Sequence, residues 1–367
     1  MNAFVFLPIW CAIMYFVARS LKIYSSDVSV SNDIQKRPLW FALFSFLPIF
    51  LMATIAEPCM DTVAYLGSFN KATASFSNVE LGEDGWLFNL FTIIIKKIFD
   101  SQLFYRIIIA LVQSIPLIIV FRKYSHNYIL TLFLFISSGS FFSGMMNGLR
   151  QFTAICVVFI AVLSMMEKKY LKTVLLILLA TAIHQTAIIM LPVVFIANGK
   201  AFNKLTIICI VASVIAMSIF SLNTDLFEEI VNTTDYANGY QYVKETDDGV
   251  NPIRVLVSAV PVILICLDKK RLKEENSPFC NVCVNMSFIN FGITLIAMVT
   301  SGIYTGRMIM YTQLFSFVLL PRLIDDVFSK KSKILVYFAM IVLYLIYYKY
   351  ELGNFWNYNL DMLWAFR

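Results

Sequence analysis

The stretch MNGLRQFTAICVVFIAVLSMMEKKYLKTVLLILLATAIH, residues 146–184, contains the features that decide both the fold and the candidate function. Two apolar runs are separated by a Lys-Lys pair, with Asn147, Arg150 and Gln151 before the first run and His184 after the second. Apolar runs of this length predict transmembrane helices. Ionisable side chains in such segments are energetically expensive, and they therefore indicate a functional site.

The composition of the whole chain favours the same environment. The chain has 367 residues, of which 59% are hydrophobic and 14% are charged, whereas about 25% would be charged in a typical soluble domain. Apolar runs of roughly 16 to 22 residues recur from end to end, long enough to cross a membrane. The sequence predicts an all-α polytopic integral membrane helical bundle, a single domain over residues 1–367 with about 12 transmembrane segments.

The charged residues predict an orientation. The formal net charge is +6, and Lys and Arg cluster in short loops, which indicates cytoplasmic loops and does not indicate nucleic-acid binding. Residues 57–86 and the acidic residues 222–251 are then the large outer loops. Segment 170–197 is predicted to form two short helices that turn near His184, and segment 86–99 a partly embedded helix at the outer face.

This orientation places the polar candidates at one outer face. Arg suits an anionic, lipid-linked substrate because its planar fork of donors matches phosphate oxygens and keeps its charge. His is readily poised for proton transfer near neutral pH. The candidates are Asp61, Tyr65, Glu83, Asn147, Arg150, Gln151, His184, Arg254, Tyr304 and Arg307.

Each candidate has a structural alternative. Arg150 and Arg307, which both follow glycine pairs and lie near predicted helix starts, could extend to the membrane interface without binding a ligand. His184 could cap a helix, and Asp61 and Glu83 could be solvated loop residues. Arg254 could anchor its own helix electrostatically.

Several enzyme classes lack their motifs in this chain. There is no Gly-x-Ser-x-Gly elbow and no Gly-rich phosphate loop with Lys. The two His residues and the absence of an Asp-x-Asp pair do not favour a metal enzyme. The isolated pair Cys280 and Cys283 is predicted to open a transmembrane helix, not to bind zinc. We expect neither a metal nor another cofactor.

Five short motifs make the chain resemble the EpsG family of Wzy-like bacterial polysaccharide polymerases. They cover about residues 50–325. The motifs are Asp61-Thr62-Val63-Ala64-Tyr65, Glu83-Asp84-Gly85-Trp86, Asn147-Gly148-Leu149-Arg150-Gln151, Ala180-Thr181-Ala182-Ile183-His184-Gln185-Thr186-Ala187, and Arg307 with Tyr311.

The resemblance implies a GT-C-like fold and a metal-independent glycosyltransferase at the outer, periplasmic face of the bacterial cytoplasmic (inner) membrane. Such an enzyme transfers a growing glycan from undecaprenyl diphosphate to an incoming lipid-linked repeat of O-antigen (lipopolysaccharide), capsule or exopolysaccharide. Its partners would be this lipid-linked oligosaccharide, the membrane lipids and a chain-length regulator.

The resemblance and the residues together suggest roles. Arg150 and Arg307 would stabilise the departing diphosphate, and His184, Asp61 or Glu83 would be the general base. The expected substrate-binding residues are Asn147, Gln151, Tyr65, Arg254, Tyr304 and Tyr311.

The tyrosines of loop 222–251, which are Tyr236, Tyr240 and Tyr242, are predicted to contact sugars. Rival functions are an O-antigen ligase-type glycosyltransferase, with a different acceptor, and a flippase for the same lipid. A flippase needs a charged cavity open to both sides, whereas the candidates here gather at one face. A purely structural membrane subunit would leave the outward Arg residues unexplained.

Overall fold

The computed structural model describes residues 3–23, 37–72, 79–234, 237, 240–241, 245, 247–357 and 360–366. This part of the chain is helical and contains no strand, which confirms the all-α prediction. Tyr236 and Tyr242 lie outside the described residues.

The α-helices are α1 (Ala3–Ser20), α2 (Leu39–Ile55), α3 (Asp61–Lys71), α4 (Trp86–Ile98), α5 (Gln102–Tyr124), α6 (Tyr128–Ser137), α7 (Leu149–Met166), α8 (Tyr170–Ile183), α9 (Met190–Ala197), α10 (Lys204–Leu222), α11 (Thr224–Asn232), α12 (Pro252–Leu267), α13 (Lys269–Lys273), α14 (Pro278–Met298), α15 (Thr305–Met308), α16 (Met310–Val327) and α17 (Lys330–Leu352).

Several of these helices suit a membrane. Among the described residues, five helical segments are long and apolar enough to cross one: α5, α7, α10, α14 and residues 330–357, which include α17. Shorter apolar helices include α1, α2, α6, α8 and α12. Large hydrophobic side chains are exposed along α10 and α17, as expected where lipid replaces water. The chain is thus a helical membrane protein, while about 12 crossings and a GT-C-like arrangement stay predictions.

The helix starts follow local sequence rules. The side chains of Ser101, Asn127, Asn203, Asn251 and Ser277 each accept a hydrogen bond from a backbone N–H in the first turn of the helix that follows. Such caps satisfy donors that would otherwise lack an intrahelical partner. Proline occupies the first position of α12 and α14, where its missing N–H costs nothing.

The helices form two compact units. The first comprises Met1–Leu191 with Lys330–Arg367, and the second comprises Pro192–Ser329. Helix α7 lies inside the first unit and packs against α5 and α8. Helix α14 lies inside the second unit and packs against α10, α12 and α16. The single domain over residues 1–367 stays a prediction.

The predicted break in segment 170–197 is confirmed. Helix α8 ends at Ile183, His184 is extended (φ −153°, ψ 118°), and a 3-10 turn at Gln185–Ile189 leads into α9. Segment 86–99 forms α4, as predicted, and its depth in the membrane stays a prediction. The two long loops are partly helical: 57–86 contains α3 and 222–251 contains α11.

Candidate active site

Arg150 lies in the first turn of α7, and hydrogen bonds to the Leu149 carbonyl hold that turn in place. Gln113 on α5 donates from Nε2 to the carbonyl of Leu149 (3.0 Å), and the Thr153 hydroxyl donates to the same carbonyl (2.7 Å). Gln113 is almost fully buried, with 1% of its surface exposed. Because these bonds fix the start of the helix, the side chain at its second position has a defined direction.

His184 lies at the interruption between α8 and the following 3-10 turn. Its backbone N–H still bonds to the carbonyl of Ala180 (2.8 Å), and its carbonyl accepts from the N–H of Ala187 (3.0 Å). The extended conformation between these bonds turns the chain abruptly. The imidazole is mostly enclosed, with 14% of the side chain exposed.

A single carboxylate, that of Asp84, joins these two elements. Its Oδ2 accepts a hydrogen bond from Nη2 of Arg150 at 2.7 Å, and its backbone carbonyl accepts from Nη1 at 2.9 Å. Its Oδ1 accepts from the backbone N–H of Gln185 at 2.8 Å and lies 3.6 Å from Nδ1 of His184. Asp84 thus connects the loop before α4, the start of α7 and the break after α8.

Gly85 allows this arrangement. It has φ +79°, a left-handed conformation that side chains disfavour. A Cβ placed there would lie 2.5 Å from Nη1 of Arg150 and 2.7 Å from its Cδ. The guanidinium therefore packs directly on the glycine backbone, and the residue after Asp84 must be glycine for both reasons.

The environment keeps Asp84 ionised. Burial alone would raise the pKa of its carboxyl group, but the adjacent His184, the Gln185 N–H and the Arg150 charge outweigh it and lower the pKa from 3.8 to about 2. A carboxylate with so low a pKa is a poor proton acceptor near neutral pH. It is better suited to orient its neighbours and to balance charge.

Two buried nitrogen atoms at this site can each form a further hydrogen bond. Nε of Arg150 and Nδ1 of His184 have no hydrogen-bond partner within the described part of the chain. The distance of 3.6 Å between Nδ1 and Asp84 Oδ1 corresponds to an electrostatic contact that can tighten into a hydrogen bond. The arrangement can hold an anion on Arg150 and orient the His184 ring so that Nε2, on its opposite edge, accepts a proton.

The other carboxylates proposed as the base lie in different settings. Glu83 is exposed. Asp61 is half-buried at the start of α3, and its backbone N–H donates to Oδ1 of Asn147 at 2.8 Å. Beside it, the Thr62 hydroxyl donates to the carbonyl of Met146 at 2.6 Å. Asn147 thus fastens α3 to the segment before α7, and its predicted contact with substrate stays a prediction.

Tyr65 and Gln151 also belong to the first unit. The half-buried Tyr65 ring contacts Phe88 edge-to-face, with 5.8 Å between ring centroids. Gln151 is 7% exposed, so its side chain lies within the packed start of α7. The contacts of Tyr65 and Gln151 with substrate stay predictions.

The remaining candidates belong to the second unit. Arg254 lies half-buried in the first turn of α12, and Arg307 is exposed in the short helix α15. Tyr304 precedes α15, and its ring contacts Tyr240 at 5.9 Å between centroids. Tyr311 is 1% exposed, a placement typical of a packing residue. The proposed joint action of Arg150 and Arg307 stays a prediction.

Sequence reasoning named Glu83 and missed its neighbour Asp84. A usable signal was present, since an Asp-Gly pair is typical of a tight turn that re-aims the preceding side chain. The sequence alone did not show that this turn lies against Arg150 and Gln185, which follow Asp84 by 66 and 101 positions in the chain.

The fold and this cluster define the class: a helical membrane protein with an Arg, His and Asp site and no motif for nucleotide binding. The chain matches the model of the EpsG family over residues 39–360, and it therefore belongs to the EpsG family. No curated protein and no solved structure matches the chain. Family membership supports a polysaccharide-polymerase-like membrane protein.

Proposed function

We propose that the protein is a glycosyltransferase that polymerises lipid-linked oligosaccharide repeats at the outer face of the bacterial cytoplasmic membrane. The growing glycan is donated from undecaprenyl diphosphate to a hydroxyl group of an incoming lipid-linked repeat. The observation that carries this proposal is the Asp84 carboxylate placed between Arg150 and His184, together with membership of the EpsG family.

The proposed reaction is a displacement at the anomeric carbon of the donor. The acceptor hydroxyl oxygen forms a bond to that carbon, and the bond between the carbon and the diphosphate oxygen breaks. The bonding electrons leave with the diphosphate, whose negative charge Arg150 stabilises. The acceptor proton passes to Nε2 of His184. Because the leaving group is already a good one, no general acid is required.

Asp84 has the role of a positioning residue in this scheme. When the 3.6 Å contact tightens into a hydrogen bond, its carboxylate makes Nδ1 the protonated nitrogen of His184, which leaves Nε2 able to accept a proton, and it stabilises the imidazolium that forms. It also fixes the direction of the Arg150 guanidinium. Each terminal nitrogen of that group carries a second N–H, so the same side chain can bind the carboxylate and a phosphate oxygen together.

The test is a deletion strain in which the length of the surface polysaccharide is examined on gels. The proposal predicts that long chains disappear, that single repeats remain attached to the acceptor, and that the wild-type gene restores long chains. Loss of all repeats would indicate a flippase. Single repeats and polymer that both accumulate unattached would indicate a ligase.

A variant series links that result to the site. Arg150→Ala, His184→Ala and Asp84→Ala should each fail to restore long chains while the protein accumulates in the membrane. Glu83→Ala is the matched control, because it removes an exposed carboxylate next to Asp84. Full restoration by the three site variants would contradict the assignment of the site, even if the deletion phenotype supports a polymerase.

A further inference from the structure

The end of the acidic loop 222–251 is attached to the turn that leads into α15. The Asp247 carboxylate accepts hydrogen bonds from three consecutive residues of that turn: the hydroxyl of Ser301, the N–H of Gly302 at 2.6 Å and the N–H of Ile303 at 3.4 Å. The Ser301 hydroxyl also accepts from the N–H of Tyr304 at 2.9 Å. One carboxylate therefore satisfies backbone donors of a turn that has no regular structure of its own.

Two glycines make this attachment close. A Cβ on Gly302 would lie 2.8 Å from the carbonyl oxygen of Gly249, and a Cβ on Gly249 would lie 2.5 Å from that of Met298. Gly249 also has φ +81°. The two backbone segments thus lie in contact, and the neighbouring Val250 N–H donates to the carbonyl of Ala297 at 2.9 Å.

The same segment also supports the far end of the turn. Val250 is 2% exposed and packs with Ala297 and Ile309, and its Cγ2 would lie 3.0 Å from a Cβ on Gly306. The turn is closed internally by a bond from the Gly306 N–H to the Ser301 carbonyl at 2.9 Å. Residues 247–250 therefore hold the turn at its start and at the residue before Arg307.

This turn carries Tyr304 and leads directly to Arg307, two of the residues predicted to contact substrate. Tyr304 lies inside the supported segment, and Arg307 follows it directly. Burial raises the pKa of Tyr304, and the charge of Arg307 acts in the opposite direction, so the two side chains influence each other. A short helix such as α15 is not stable on its own, so its orientation depends on these contacts.

We propose that Asp247 is a positioning residue, which fixes the segment 300–307 so that Tyr304 and Arg307 meet the diphosphate-linked sugar in one orientation. The proposal rests on the proposed polymerase function. It assigns to the acidic loop a defined task, namely to anchor this segment through one of its carboxylates.

The experiment compares Asp247→Asn with Asp248→Asn, which removes the exposed carboxylate of the next residue. Purified proteins in lipid nanodiscs are assayed with the lipid-linked repeat isolated from the deletion strain. Asp247→Asn should lower kcat by about 10- to 100-fold, the scale on which a misplacement near 1 Å lowers a rate. Asp248→Asn should stay within about threefold, as for a surface change.

A double-mutant cycle separates positioning from general stability. Because Asp247 is proposed to act through Tyr304 and Arg307, adding Asp247→Asn to a protein that carries both Tyr304→Ala and Arg307→Ala should change the rate by less than about threefold, since both groups it positions are gone. A purely structural role would lower the protein level and the rate equally in both backgrounds. Normal activity of the protein that carries Tyr304→Ala and Arg307→Ala, or a full Asp247→Asn effect in that background, would overturn the proposal.

Hydrogen exchange tests the anchor without an activity assay. Backbone amides in peptides covering 300–307 should exchange at least about tenfold faster in Asp247→Asn and stay unchanged in Asp248→Asn, since the amide replaces one of the two oxygens that accept from Gly302 and Ile303 with a donor. Unchanged exchange would overturn the proposal. A wild-type protein that makes no polymer would instead refute the proposed function, whatever the exchange shows.

Discussion

Replacing Asp84 by Asn removes the charge that connects Arg150 and His184 while keeping the size of the side chain. The amide oxygen can still accept from the Gln185 N–H, now at 2.8 Å, so the break after α8 should persist. The amide nitrogen, however, must face either Arg150 or His184, which are themselves donors at this position. The substitution therefore replaces an attraction between opposite charges with two hydrogen-bond donors that face each other.

The contacts set the size of the expected effect. The lost bond joins Nη2 of Arg150 and Oδ2 of Asp84 at 2.7 Å, between side chains that are 26% and 25% exposed. A hydrogen bond to a charged group contributes about 1.5–3 kcal/mol, and partial exposure favours the lower part of this range. In the proposed reaction this bond orients Arg150 and His184 for the transition state, so its loss raises the barrier. Since each 1.36 kcal/mol changes a rate about tenfold, we expect Asp84→Asn to lower kcat by about 10- to 100-fold.

The assay is a single-turnover measurement with purified protein and isolated lipid-linked repeats, and Glu83→Gln serves as the control. The control should retain activity within about threefold, as expected for an exposed side chain. The reasoning would be refuted if Asp84→Asn were as active as the wild type, or if Glu83→Gln were the inactive variant of the two.

The pH dependence of stability gives an independent check on Asp84. Because its pKa falls from 3.8 to about 2 in the folded protein, its ionised form stabilises the fold above about pH 4, and this contribution disappears as the pH falls toward 2. The difference in thermal stability between the wild type and Asp84→Asn should therefore shrink as the pH falls from about 4 toward 2. A difference that stayed the same down to pH 2 would contradict the low pKa of Asp84.

Four further outcomes are expected. Arg150→Lys should lower kcat by about 100- to 1000-fold without loss of protein, since it keeps the charge but lacks the planar fork, and normal polymer length would contradict this. His184→Gln should lower the rate by about 100-fold with binding of the lipid-linked repeat preserved, whereas a fully active variant would move the base role elsewhere. Gly85→Ala should reduce protein level and activity together, because its Cβ would meet the guanidinium, and a fully active variant would show that this packing is unnecessary. A reporter active only outside the cytoplasm should work when fused after Asn223 and fail after Lys270, and the opposite pattern would invert the orientation.

The sequence predicts those parts of the fold that depend on local patterns. Apolar runs bounded by capping residues specify where helices begin, as Asn203 and Ser277 show. The interruption at His184 also follows from segment length alone, because residues 170–197 are too long for one span and short for two full ones. The number of crossings is less predictable, since several apolar helices are shorter than a full span.

The sequence does not predict which carboxylate faces Arg150, and the reason is geometric. Adjacent residues in a turn point in different directions, and the left-handed conformation of Gly85 decides that Asp84 points toward the guanidinium. Neither charge nor hydropathy distinguishes Glu83 from Asp84. Asp247 was likewise one of many acids in a loop, and only its contacts with the turn at Gly302 separate it from Asp248.

The position of Asp84 also shows that three of the family motifs lie next to each other in space. Glu83-Asp84-Gly85-Trp86, the Arg150 motif and the His184 motif are distant in sequence, yet one carboxylate contacts all three segments. The charges of Asp84 and Arg150 balance, which lowers the cost of placing the cation in a membrane protein before substrate binds. A diphosphate that approaches Arg150 must then share it with Asp84. In the proposed reaction, the carboxylate would therefore weaken anion binding in the resting site and stabilise the imidazolium that forms when His184 accepts the proton.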